Sequence, residues 1–172
     1  MRTMILLASL MMALGLSSCH NQKVTQTAVP EGFWGTTTEF TFLARRAIPN
    51  NMDVVRVMNA LPNTNSSQML DLDPGYTLSL KNDSLKVDLP YFGRAYNASL
   101  NPSKNGLKLE TQDFSVALTA TKKNNLYKIK VNHSEINQIF IEVFPNGRAY
   151  VSIDSNDRQP ISFDGEMKPI KP

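Results

Sequence analysis

Apolar and polar residues alternate along most of the chain after about residue 38. A period of two is typical of strands with one buried face, whereas an amphipathic helix repeats every 3.6 residues. Phe40, Phe42 and Ala44 begin this alternation, and short runs of the same kind recur at regular spacing. The pattern predicts an all-β fold of antiparallel hairpins that form a sandwich or a small barrel, with no helix of substantial length.

Three hairpins can be given a register, because a slip of one residue would turn a strand inside out. Their loops are Asn82-Asp83, residues 122–125 and Pro145-Asn146-Gly147, where glycine suits the left-handed position. The predicted partners are, in the first hairpin, Leu80 with Leu85, Leu78 with Val87 and Tyr76 with Leu89; in the second, Ala120 with Tyr127, Leu118 with Ile129 and Val116 with Val131; in the third, Val143 with Ala149, Ile141 with Val151 and Ile139 with Ile153.

Other segments fit the same plan with fewer constraints. Residues 54–59 are a short β-branched run of unclear register, and residues 106–111 and 160–164 are further candidate strands. The outer face of the third hairpin carries Phe140, Phe144 and Tyr150. Because this face is partly apolar, we expect that hairpin to be covered on both sides.

The first residues have the organisation of an export signal. Arg2 precedes an apolar run of 13 residues from Met4 to Leu16, which suits a signal peptide and is too short for a membrane span of about 20 residues. Leu16-Ser17-Ser18-Cys19 resembles a lipobox, in which the cysteine is lipidated. We therefore expect a lipoprotein signal peptide at residues 1–18 and a polar tether at 19–38. We favour docking of its Phe33-Trp34 pair on the domain, and the alternative is an exposed aromatic binding element.

Cys19 is the only cysteine in the chain, so no disulfide can form within it. Lipidation gives this lone cysteine a role, and two or more acyl chains anchor a protein stably. The membrane is then one partner, through the lipid on Cys19. The sequence shows no acidic run after Cys19 of the kind used for surface display. We expect a protein of the bacterial cell envelope on its periplasmic side.

Length and charge set further limits. Removing residues 1–18 leaves 154 residues (172 minus 18), which is enough for one domain at 39–172 with a hydrophobic core. Only Arg2 is lost from the charge count, so 17 basic and 15 acidic residues remain, a net charge of +2. This balance argues against nucleic acid as a partner.

Two stretches carry a family resemblance. They are Leu89-Pro-Tyr-Phe-Gly-Arg-Ala-Tyr96, termed the corner segment below, and Ser155-Asn-Asp-Arg-Gln-Pro-Ile-Ser-Phe-Asp-Gly165. With Phe40-Thr-Phe-Leu-Ala44 and the lipobox, they resemble the domain-of-unknown-function family numbered 4251, over about residues 38 to 168. Its members are small lipoproteins from a Gram-negative phylum, and Phe163 replaces the tyrosine associated with that position. The resemblance supports class and location and implies no mechanism.

The corner segment is the first candidate binding patch. Pro90 ends a strand and Gly93 permits a sharp bend, while Tyr91, Phe92 and Tyr96 surround Arg94. We favour a structural corner in which the aromatic rings pack and a carboxylate holds Arg94. The alternative is an exposed aromatic platform around a cation, for a sugar, a carboxylate or a peptide.

The second candidate patch is the loop of residues 155–159, with Asn156, Arg158 and Gln159 as candidate binding residues. Arg158 could pair with a carboxylate such as Asp154 or Asp157, or it could bind an anionic ligand. Loops between strands carry functional residues more often than the strands do.

The sequence predicts no catalytic residues, metal site or cofactor. His133 lies in a turn, and Asp71 and Asp73 lack the further ligands of a calcium loop. Our hypothesis is therefore a non-enzymatic envelope module that binds an unknown protein or small-molecule partner. An envelope hydrolase is the alternative, and a purely structural spacer is the second alternative.

Overall fold

The computed structural model describes residues 25–26, 39–60, 70–81, 83–96, 106–121 and 123–169. The expected signal peptide, Cys19 and the Phe33-Trp34 pair lie outside these residues. The elements are β1 (Thr25–Gln26), β2 (Phe40–Pro49), α1 (Met52–Ala60), β3 (Thr77–Lys81), β4 (Ser84–Leu89), β5 (Leu107–Thr111), β6 (Phe114–Ala120), β7 (Asn125–Val131), β8 (Ile136–Val143), β9 (Arg148–Ser155) and β10 (Ile161–Pro169).

These strands form one sheet in the order β1-β6-β7-β8-β9-β10-β2-β3-β4-β5. Strands β2 to β10 are antiparallel and curve into a nearly closed barrel, so the all-β prediction is confirmed and the barrel is the form it takes. The rings of Phe40 on β2 and Tyr127 on β7 lie 5.1 Å apart between centroids, although three strands separate β2 from β7 in the sheet order. Their contact shows that the core fills the inside of the barrel.

Two of the three predicted hairpins have the predicted register. Leu80 pairs with Leu85 and Leu78 with Val87, although β3 begins at Thr77 and the Tyr76–Leu89 pair lies outside the ladder. All three pairs of the β8–β9 hairpin are as predicted. Gly147 has a φ of 83°, which confirms the left-handed position in its loop.

The register predicted for the β6–β7 hairpin is wrong by two residues. Leu118 pairs with Tyr127 and Ala120 with Asn125, because the four-residue loop is residues 121–124. Thr121 is a turn residue, since its hydroxyl accepts hydrogen bonds from the backbone N–H groups of Lys123 at 3.2 Å and Asn124 at 3.1 Å. The inward face is unchanged by a shift of two, but Asn125 joins the strand and is fully buried.

The strand expected at residues 54–59 is the helix α1 instead. The Asn51 side-chain oxygen accepts a hydrogen bond from the N–H of Asp53 at 2.8 Å, which is an N-cap contact. Asp53 and Arg56 form an ion pair across one turn at 3.6 Å, and Met58 is the residue that α1 buries. The valines of this segment favour a strand, but the Asn51 cap starts a helix and outweighs that preference.

Glycine is required where β10 crosses β2. The β2–β10 ladder has a bulge between Asp164 and Gly165, opposite Arg45. A Cβ atom added to Gly165 would collide with the carbonyl oxygen of Leu43 and lie 2.8 Å from a ring carbon of Phe42. The strands can approach this closely only because residue 165 has no side chain.

The expectation that the β8–β9 hairpin is covered on both sides is wrong. Phe144 and Tyr150 are exposed on its outer face, and Phe140 is half-buried. The inner face alone satisfies the hydrophobic pattern, while single exposed aromatic residues are ordinary on protein surfaces. The described residues form no helix that is long and apolar enough to cross a bilayer.

Candidate functional site

The corner segment and the loop of residues 155–159 meet in space. Ala95 and Arg158 form an antiparallel β-bridge. On either side of it, the N–H of Tyr96 donates to the carbonyl of Asp157 at 2.8 Å, and the N–H of Gln159 donates to the carbonyl of Arg94 at 3.1 Å. The two stretches that carry the family resemblance therefore form one site.

Arg158 is the centre of this site and is only 6% exposed. Its Nε and Nη2 atoms donate to the two carboxylate oxygens of Asp157 at 3.0 and 2.8 Å. Its Nη1 donates to the carbonyl of Gly106 at 3.1 Å, and its guanidinium carbon lies 5.1 Å from the ring centroid of Tyr91. We call Arg158, Asp157, Tyr91 and the Gly106 carbonyl the Arg158 cluster. A buried cation is tolerated here because hydrogen bonds and an aromatic face surround it.

The protonation states of the cluster follow from these contacts. The hydrogen bond from Arg158 holds the pKa of the Asp157 carboxyl below its ordinary value, so this group stays ionised at neutral pH. Burial raises the pKa of the Tyr91 phenol, which therefore stays protonated and acts as a donor. The side-chain hydrogen bond to Asp157 raises the pKa of Arg158.

Tyr91 fixes the bend of the corner segment. Its hydroxyl lies 3.0 Å from the carbonyl oxygens of both Arg94 and Gln159, the two sides of the bridge. A Cβ atom on Gly93 would collide with the hydroxyl and ring of Tyr91, which explains the glycine. Phe92 is half-buried and packs against the core. For Tyr91 and Phe92, the structure agrees with the corner interpretation.

The corner interpretation predicts that the ring of Tyr96 packs and that a carboxylate holds Arg94, and the structure differs at both residues. Both are exposed, Tyr96 to 62%. Among the described residues, the ion pairs of the structure do not include Arg94, so the expectation that a carboxylate holds Arg94 is wrong. Arg94 contributes its backbone carbonyl to the corner and projects its charge into solvent. The arginine that a carboxylate holds is Arg158, through Asp157.

The remaining candidates of the second patch brace the loop. The side-chain oxygen of Gln159 accepts a hydrogen bond from the Asn51 amide at 3.1 Å, which links the corner to the start of α1. Asn156 is exposed, and its N–H and side-chain amide donate to the carbonyls of Glu135 at 3.0 Å and Ser134 at 3.2 Å. These contacts hold Asn156 and Gln159 through their own polar groups.

The other residues considered for chemistry lie apart from this site. His133 is exposed, and its Nδ1 accepts the N–H of Glu135 at 3.2 Å. Asp71 pairs with Arg46 at 3.7 Å. Within the described part of the chain, no three His, Cys, Asp or Glu side chains come together closely enough to hold a metal ion.

Sequence reasoning did not single out a depression at the tip of the β8–β9 hairpin. Its volume is about 520 Å³, and Phe144, Pro145, Asn146 and Arg148 line it. Arg148 is not free there, because it pairs with Asp164 at 3.1 Å. Alternation along a strand predicts which residues face outward. It does not predict that the β8–β9 turn and its neighbouring residues will form a depression.

Comparison with known proteins gives one family. The model of the domain of unknown function DUF4251 matches residues 36–167, and the chain belongs to this family. The match contains the corner segment and the loop of residues 155–159. No curated protein and no solved structure matches the chain.

Proposed function

We propose that this protein is a lipid-anchored module of the bacterial cell envelope that binds a protein partner or a small ligand without catalysing a reaction. The observation that carries the proposal is the pair of exposed side chains, Arg94 and Tyr96, on a backbone that the buried Arg158 cluster braces. The lipobox at Leu16–Cys19 supports the anchor and the envelope location.

The geometry of the corner favours binding because its backbone is already fixed. Residues 94 to 96 have hydrogen bonds to Asp157, Gln159 and Tyr91 on both sides of the bridge. A surface that is ordered before binding loses less conformational entropy when a ligand arrives. Arginine and tyrosine are also the residue types enriched at the energetic centres of interfaces.

The chemistry of Arg94 indicates the class of ligand. A guanidinium donates two parallel hydrogen bonds to a carboxylate, and an adjacent tyrosine ring offers an apolar face with a hydroxyl at its edge. The carboxylate of Asp157 and the hydroxyl of Tyr91 are engaged within the Arg158 cluster, so they brace the site. We therefore favour a carboxylate-bearing ligand or an acidic segment of a protein.

Photo-crosslinking from position 96 tests the binding proposal in the envelope of the living cell. With a benzoylphenylalanine at Tyr96, we expect a discrete crosslinked product that Arg94→Ala depletes about tenfold, because Arg94 anchors the ligand. Tyr150, which is 36% exposed on β9, is the matched control position. Equal products from positions 96 and 150, or a product that Arg94→Ala leaves unchanged, would contradict binding at the corner.

A further inference from the structure

The sheet takes in a short piece of the tether. Strand β1 pairs in parallel with β6, with Thr25 opposite Ala117 and Gln26 opposite Leu118. Only six residue steps separate Cys19 from Thr25 (25 minus 19). A fully extended chain covers about 3.6 Å per residue, so Cys19 lies at most about 22 Å from Thr25, which is itself one strand spacing from β6. If Cys19 carries the lipid, the β6 edge of the barrel stays close to the membrane.

The outer faces of β6 and β7 carry lysines and no acidic residue, and the exposed Asp113 lies just before β6, where it accepts a hydrogen bond from the Asn132 amide. Neither β6 nor β7 contains Asp or Glu, and β6 exposes the small residues Ser115, Ala117 and Thr119. Lys128 pairs with Ala117 and Lys130 with Ser115, and both lysines are exposed. Neighbouring strands lie about 5 Å apart, so the lysines are about 10 Å from β1.

Apolar groups accompany these lysines. The amino group of Lys128 lies 5.4 Å from the centroid of the Phe140 ring, and Leu126 is 39% exposed on the same face of β7. The nearest acidic side chain on β8, Glu142, accepts a hydrogen bond from the Asn124 amide. Lysines next to partly exposed apolar groups suit the boundary between phospholipid headgroups and water.

We propose that the outer face of β6 and β7 rests on the membrane that holds the lipid of Cys19, with Lys128 and Lys130 contacting anionic phospholipid headgroups. The inference rests on the lipid anchor of the proposed function. It adds the orientation of the barrel relative to the membrane, because the tether and the two lysines both hold the β6 edge close to the bilayer. Basic residues close to a membrane surface are attracted to anionic lipids over about a Debye length.

The test uses the full lipidated protein reconstituted in phosphatidylcholine vesicles that contain phosphatidylglycerol, since neither headgroup has an amine that would consume the reagent. Flotation and labelling with a fatty-acid probe report the anchor, while mass spectrometry after a membrane-impermeant amine reagent reports the exposure of each lysine. We expect Lys128 and Lys130 to react about threefold more slowly than in detergent, because headgroups cover them. Lys81 on β3 and Lys168 on β10, both exposed and at least three strands from β7, should hardly change.

Two variants and two conditions sharpen this experiment. Lys130→Glu should reduce the protection of Lys128, whereas Lys81→Glu should leave it unchanged. Protection should also fall in vesicles of phosphatidylcholine alone and at high salt, since the attraction is electrostatic. Protection that is equal in neutral vesicles would overturn the role of anionic headgroups.

Failure of the orientation and failure of the anchor give different results. If the protein floats and takes up the fatty-acid probe but Lys128 and Lys130 react as fast as Lys81 and Lys168, the orientation is wrong and the anchor stands. If the wild type behaves like Cys19→Ser, with neither flotation nor labelling, the proposed anchor itself is wrong.

Discussion

Arg94 and Arg158 lie on two segments that a single β-bridge joins, yet their side chains have opposite environments. Arg158 is buried, with both carboxylate oxygens of Asp157, the carbonyl of Gly106 and the ring of Tyr91 around it. Arg94 supplies its carbonyl to the same structure while its guanidinium faces solvent. One arginine therefore holds the corner together through buried contacts, and the other leaves its guanidinium exposed to solvent.

The difference comes from position relative to the bridge. Arg158 is a bridge residue whose side chain lies beneath the corner segment, where Tyr91 and the start of β5 enclose it. Arg94 is adjacent to the bridge on the opposite segment, and its carbonyl points toward Tyr91 and Gln159. Residue 94 contributes to the corner through its backbone carbonyl, which accepts hydrogen bonds from Tyr91 and Gln159, while its side chain is exposed.

The largest effect is expected for Arg158→Ala. Removing the guanidinium opens a gap beside Tyr91 and leaves Asp157, whose side chain is 25% exposed, without its partner. We expect a loss of about 2 kcal/mol in the free energy of unfolding, which is typical of lost hydrogen bonds to a charged group. Urea unfolding followed by circular dichroism, with a constant denaturant slope, measures the loss. Arg158→Lys keeps the charge but cannot donate two parallel hydrogen bonds to Asp157, so its free energy of unfolding should lie between those of the wild type and Arg158→Ala. A loss below about 1 kcal/mol would contradict a stabilising role.

Much of the barrel could be predicted because alternation and turn chemistry are local. Leu78 and Leu80 face inward whatever the rest of the chain does, and Gly147 marks its loop by its own conformational freedom. The β6–β7 register was missed because residues 121–125 are all polar, and only the hydroxyl bonds of Thr121 select the loop. Helix α1 was missed because its valines resemble a strand while a single Asn51 cap starts the helix.

The site was predicted in its parts but not in its assembly. Both segments stood out in the sequence, and Asp157 was one of two partners considered for Arg158. Their meeting depends on a bridge between residues 95 and 158, far apart in the chain, which no local pattern specifies. The roles of the two arginines follow from that bridge, and so they required the structure.

A smaller effect, dependent on pH, reports the Asp157–Arg158 pair directly. The pKa of Asp157 in the folded protein lies below the unfolded value of about 3.9, so its contribution to stability is present above about pH 4 and is lost as the pH falls through the folded pKa. We expect the free energy of unfolding to decline as the pH falls below about 4, and Asp157→Asn to be less stable at neutral pH with a shallower decline.

The matched control for this pH dependence is Arg158→Met, which keeps a long side chain and removes the charge. Because Arg158 is the main cause of the low pKa of Asp157, the acid decline should become shallower in this variant as well. Urea unfolding at a series of pH values provides the measurement. A decline as steep in both variants as in the wild type would show that other carboxylates dominate the acid response.

The smallest effect is expected for Arg94→Ala, with a change in the free energy of unfolding within about 0.5 kcal/mol. Alanine keeps the carbonyl that accepts the Tyr91 hydroxyl bond, and the side chain that it removes is exposed. Urea unfolding beside Arg158→Ala compares the same substitution on the two sides of one bridge. A loss of about 1 kcal/mol or more would mean that a partner holds the guanidinium, and the corner would then be structural throughout. An unchanged unfolding curve together with a depleted crosslink from position 96 would separate the two roles, because stability and binding would then depend on different arginines.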